Sequence, residues 1–98
     1  MNIVISQPMA GKTTAQIHEE RRAVVQALES KGHTVAETVF TDEPLVNNPA
    51  LYHLGMAFQF IASSDAVLFM EGWESARGCR MEMEACKAYG VPIILQGV

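Results

Sequence analysis

One short stretch narrows the fold more than any other: five apolar residues, Ala66-Val67-Leu68-Phe69-Met70, directly after Asp65. The run is too short to span a membrane as a helix. It does not alternate with polar residues, so a strand here must be buried on both faces, as in the centre of a parallel sheet. Parallel strands need long crossover connections, which are usually helices. The sequence on either side should therefore supply them, and it does.

Upstream, Ile3-Val4-Ile5 is a β-branched run closed by Pro8 and Gly11, which reads as a first strand. Thr13 or Thr14 can cap a helix on which Ile17, Arg21, Val24, Val25 and Leu28 recur at helical spacing, and Gly32 stops it as a left-handed residue. Thr34 to Phe40 is β-rich and predicts a second strand. Thr41 to Asn48 is a polar loop, and Pro49 suits the first turn of a second helix. That helix, carrying Leu51, Leu54, Met56, Phe58 and Ile61, is apolar on much of its surface. After the central strand come a loop from Glu71 to Arg77, a helix from Gly78 to Tyr89 stopped by Gly90, and a last strand Pro92-Ile93-Ile94-Leu95. The order βαβαβαβ predicts an α/β fold: a flavodoxin-like, Rossmann-like parallel four-stranded sheet in the order 2-1-3-4, with helices on both faces. Residues 1–98 are expected to form one domain.

The net charge of -4 argues against a general nucleic-acid binder, which needs a basic footprint. Cys79 and Cys86 stand seven apart on the third helix, facing the same way two turns apart, too far for a disulfide. There is no Cys-x-x-Cys pair, and His18, His33 and His53 are scattered, so no zinc site is expected. Met1 to Ser6 resembles neither a signal peptide nor a membrane span. A cytoplasmic location follows as the default, with no membrane partner and no cofactor expected.

In a 2-1-3-4 sheet the winding reverses between strands 1 and 3, and ligands bind at the carboxyl ends of the strands beside that switch point. The loops there are Ser6 to Thr13 and Glu71 to Gly78. Gly11-Lys12-Thr13 invites a P-loop reading, but the glycine required five residues earlier is Ser6, and Pro8 removes a backbone donor. Ser6, the loop amides and the helix N-terminus can still form a polar cup for a sugar hydroxyl or a phosphate.

On a helical wheel of about 100° per residue, Cys79, Met81, Met83, Ala85, Cys86 and Tyr89 share a broad apolar arc, while Arg80, Glu84 and Lys87 oppose it. Glu82 falls in the middle of the apolar arc. Burial raises a carboxylic acid's pKa, whereas a helix N-terminus or a nearby cation lowers it. Such a site can hold a tuned nucleophile or acid. The same placement would also suit a buried ion pair with Arg77 or Arg21, or a cap on loop amides.

Gly78-Cys79-Arg80-Met81-Glu82, then Ala85, then Gly90-x-Pro92-Ile93-Ile94, resembles the nucleoside 2-deoxyribosyltransferase family. Asp65 to Met70 and Pro8 after the first strand fit too. Ser6-Gln7-Pro8-Met9 and Gly72-Trp73-Glu74 are similar to a short branch of such domains. The resemblance implies a glutamate nucleophile that attacks the anomeric carbon of deoxyribose, and Glu82 matches it. It also implies a homo-oligomer whose sites are completed by a neighbouring subunit. The sequence departs from the family at Ala76, where the transferases carry an aspartate, and at Glu84, where they often carry glycine. Their fifth strand has no counterpart up to Val98. The group that protonates the leaving base is therefore open, with Glu71 or Glu74 as substitutes.

The function expected is cleavage or transfer at the N-glycosidic bond of a nucleoside or its 5′-monophosphate, with Glu82 catalytic. Ser6, Gln7, Pro8, Met9, Lys12, Gly72, Trp73, Arg77 and Gly78 are the candidate substrate-binding residues. Trp73 suits stacking on a base or, equally, a hydrophobic lid or subunit contact; Lys12, Arg77 or Ser6 would bind a phosphate, with Arg77 otherwise neutralising Glu82 or standing as an ordinary solvated arginine. Tyr52, His53 and Phe58 are read as helix packing, and Asp65 as the start of a strand. The alternatives are a non-catalytic nucleotide-binding module and a degenerate P-loop phosphotransferase.

Overall fold

The computed structural model describes residues 1–97. The chain runs β1 (Asn2–Ser6), α1 (Thr14–Ser30), β2 (Thr34–Val35), α2 (Pro49–Ala62), β3 (Ala66–Phe69), α3 (Arg77–Tyr89) and β4 (Ile93–Leu95), with a 3₁₀ turn at Trp73–Ser75. All strand pairs are parallel, in the order β2-β1-β3-β4. The α/β architecture and strand order are those the sequence predicts.

Side-chain parity along the strands sorts the core into two layers. Val4, Val67 and Phe69 face α2 and α3, meeting Ile61, Met83 and Cys86. Ile3, Ile5, Leu68 and Met70 face the other way, against Leu28, Val24 and Val25 of α1. Ser6 has the same parity as Val4, so the last side chain of β1 points towards α3. Gln7 points the opposite way, and its side-chain amide donates to Ile17 O at 3.0 Å.

Local chemistry sets the helix ends. Thr13 and Gln16 form a reciprocal capping box: the Gln16 N–H donates to Thr13 Oγ1 at 3.1 Å, and the Thr13 N–H to Gln16 Oε1 at 2.8 Å. Asn48 caps α2 by accepting from the Leu51 N–H at 3.0 Å, with Pro49 in the first turn. Gly32, at φ +87°, ends the first crossover in the left-handed conformation.

The main departure from expectation is β2, which ends at Val35 rather than Phe40. The last ladder bond runs from the Ala36 N–H to Ile3 O. The Glu37 carboxylate then accepts the Val39 N–H at 2.9 Å and bends the chain away from the sheet edge. The β-rich residues beyond it, Thr38 and Phe40, turn inward beneath α2. Phe40 packs against His53 and Phe60, with ring centroids 5.8 and 5.9 Å apart.

The apolar arc of α3 is also narrower than the wheel suggests. Cys79, Glu82, Met83 and Cys86 are buried, but Met81 and Tyr89 are exposed.

Candidate active site

The loops after β1 and β3 meet, as their position beside the switch point requires. The Met70 N–H donates to Ser6 O at 2.9 Å. Gly72, at φ +88°, brings its backbone to Pro8, whose Cγ would lie 3.6 Å from any added Cβ. Beside this junction lies a cavity of about 520 Å³, bounded by the end of β1, the segment after β2, α2 and the start of α3.

Glu82 is on its wall. It is 8 % exposed, and its Oε1 accepts a hydrogen bond from Ser6 Oγ at 3.1 Å. Among the described residues no cation lies within ion-pairing distance of it. The buried ion pair suggested by the sequence is not formed. Arg21 is instead engaged by Gln7, its Nε donating to Gln7 Oε1 at 2.8 Å, and Arg77 is exposed at the start of α3. Burial pushes the Glu82 carboxyl up to about 7, and the Ser6 hydrogen bond only partly offsets this. The group is therefore divided between its charged and neutral forms near neutral pH. Cys79 shares the wall, but burial raises its thiol further from ionisation, the Ser6 contact lowers it and the Glu82 charge raises it. It is a protonated packing group rather than a competing nucleophile.

Of the residues singled out from the sequence, Ser6, Gln7, Met9, Arg77, Gly78 and Glu82 line this cavity. Pro8 supports the loop junction from behind, through its contact with Gly72. Lys12 does not line the cavity. It pairs with Glu20 at 2.9 Å. The Thr13 and Gln16 amides at the start of α1 are taken by the capping box. Trp73 is likewise outside the cavity. Its ring packs edge-on against Phe69 at 5.7 Å and joins the α2–α3 core layer, because the 3₁₀ turn directs it under α3 rather than towards β1. Glu71 and Glu74 also lie elsewhere. The Glu71 carboxylate sits beside Gly97, and Glu74 lines a groove on the far side of α3 with Trp73 and Lys87.

The structure adds a wall that the sequence reading passed over. Thr38, Phe40, His53, Leu54 and Ala57 complete the cavity. Thr38 is 5 % exposed, and its hydroxyl is buried without a hydrogen-bond partner. His53 Nε2 lies 3.2 Å from Asp42 Oδ1. The one sequence signal for this wall was a histidine in an otherwise apolar helix. At the opposite rim, Ser75 to Cys79 bring the N-terminus of α3 to the cavity, and no side chain caps that helix. Its free amides and Arg77 make this rim electropositive.

No helix among the described residues is long and apolar enough to cross a membrane. None of their His, Cys, Asp and Glu side chains gather in threes as a metal site would require.

A parallel α/β sheet with a buried glutamate at its switch point defines the class, and comparison with solved structures places the fold. A 2-deoxyribosyltransferase from Bacillus psychrosaccharolyticus matches with a TM-score of 0.66, covering 97% of this chain and 71% of that one at 17% identity. The chain has the deoxyribosyltransferase-like fold. A family model described as a domain of unknown function, DUF4406, matches residues 1–95, and the chain belongs to that family. Comparison with curated proteins gave no match.

Proposed function

We propose that this protein cleaves or transfers at the N-glycosidic bond of a deoxynucleoside or its 5′-monophosphate, with Glu82 as the nucleophile. One observation carries the reading: a buried carboxylate without a cationic partner, held by a serine hydroxyl, on the wall of a cavity at the switch point. An unpaired buried carboxylate costs stability, so a fold that retains one invites a chemical explanation. The deoxyribosyltransferase-like fold supports the same reading, as does the sequence resemblance, which implies that Glu82 matches that family's glutamate.

The ionised Glu82 attacks C1′ as the bond to the base nitrogen breaks, through an oxocarbenium-like transition state. The glycosyl ester then passes to water or to a second base. Ser6 holds one carboxylate oxygen in place and leaves the other free to react. Because the reacting form is the anion, kcat/KM should rise with pH until about 7.

Incubation with deoxynucleosides and their monophosphates, with and without an acceptor base, tests the proposal. Free base marks hydrolysis, base exchange marks transfer, and saturable binding without turnover marks a binding module. In an active preparation, Glu82→Gln should cut turnover by at least about a hundredfold while binding persists. Glu84→Gln, exposed on the opposite face, should stay within about twofold. Full turnover by Glu82→Gln would refute the assignment.

A further inference from the structure

Departure of a nucleobase leaves an electron pair on a ring nitrogen, and a proton supplied to the base lowers that barrier. The cavity offers few sources. The ionisable side chains on its wall are His53, Arg77, Cys79 and Glu82. Glu82 is committed to C1′. A guanidinium does not give up its proton. The Cys79 thiol is buried, and its pKa is raised further by its surroundings. Glu71 and Glu74 face other parts of the surface, and Ala76, which does line the cavity, ends in a methyl group.

The geometry at His53 fits what remains. α2 carries the imidazole to the cavity, and the Asp42 carboxylate faces Nε2 at 3.2 Å. Phe40 stacks on the ring with an interplanar angle of 25°. Both contacts fix the ring plane, and the carboxylate fixes which nitrogen is occupied. Nδ1 has no partner among the described residues. Thr38, whose hydroxyl is buried without a hydrogen-bond partner, belongs to the same cavity wall.

We propose that His53, oriented by Asp42, is the general acid that protonates the departing base. The inference rests on the glycosidic reading above. Glu82 Oε forms a bond to C1′, the C1′–N bond breaks, and its electron pair stays on the base. The proton on Nδ1 of the imidazolium passes to a ring nitrogen of that base, leaving neutral His53. In the hydrolytic second half, water attacks C1′, the ester C–O bond breaks to regenerate the Glu82 carboxylate, and the water proton returns to Nδ1. His53 would be catalytic, and Asp42 a positioning residue.

The test compares two leaving groups. The natural deoxynucleosides and their 5′-monophosphates need a proton on the base. A 4-nitrophenyl 2-deoxyribofuranoside and its 5-phosphate release a stable phenolate that needs none. His53→Gln should lower kcat on the best natural substrate by about a hundredfold or more, yet leave the rate of the first-turnover burst of 4-nitrophenolate, which precedes ester hydrolysis, within about threefold. Asp42→Asn should show the same selectivity at about tenfold, in kcat rather than KM. Glu82→Gln should lose both reactions. Equal slowing of both substrates by His53→Gln would make the residue structural and overturn the proposal, as would no slowing of either. If the wild type cleaves neither substrate class, the glycosidic reading itself has failed, and the role of His53 falls with it.

Discussion

Glu82 and Glu84 stand two residues apart on one helix and obey different physics. Glu84 is solvated, whereas Glu82 is buried against Ser6 with its pKa pushed up to about 7. That displacement has a consequence for stability that does not depend on any substrate. Between pH 4.5, the ordinary value, and about 7, the folded chain keeps a proton that the unfolded chain has lost. Stability therefore falls as pH rises through that window and levels off above it, by an amount on the order of 3 kcal/mol. Glu82→Gln abolishes the titration. Urea unfolding of the two proteins should give a difference that shifts in favour of Glu82→Gln from pH 4 to pH 8. A difference independent of pH would contradict the raised pKa. Thr38 shows the same logic without charge, since its buried, unpartnered hydroxyl also marks a place where stability is given up beside the cavity.

At the scale of elements, the site is where two loops, a helix start and a bent strand end converge. The N-terminus of α3 has no side-chain cap and carries Arg77 at the cavity rim. A phosphate there would meet free amides and a guanidinium. Arg77→Ala should weaken a deoxynucleoside 5′-monophosphate by about tenfold and the nucleoside by less than about twofold, read by calorimetric titration. Equal weakening of both would assign Arg77 a structural role. The helices and the central strand were legible because periodicity and uninterrupted apolar runs report burial directly. Glu82 was legible for the same reason, as a charge at a position the period reserves for the core. The segment from Ala36 to Phe40 was not. Its β-rich composition suits a strand, and the local bond that the Val39 N–H donates to the Glu37 carboxylate competes with continuation of the ladder. His53 was hidden because α2 is apolar almost all round, so no face marked it as special. Trp73 misled because loop position says nothing of direction, and the 3₁₀ turn aims it at Phe69.

At the scale of the molecule, the reversal of winding between β1 and β3 places the cavity beside the ends of the central strands. One surface is left over. Ile61 is the only fully buried residue of α2, while Leu51, Tyr52, Phe58 and Phe60 are exposed along it. Leu45 and Val46, in the preceding loop, are exposed as well. We propose that a second copy of the chain covers it, making a homo-oligomer. Light scattering at high micromolar concentration should give at least a dimer, and a monomer there would count against it. On the proposed chemistry, a carboxylate oxygen of Glu82 is the nucleophile at the switch point. This assignment is tested most directly by acid-quenching the wild type during turnover of a deoxynucleoside and mapping the protein by peptide mass spectrometry. A deoxyribosyl ester is expected on the peptide containing Glu82, at that residue, and none in Glu82→Gln. An ester on another side chain, or full turnover by Glu82→Gln, would contradict it.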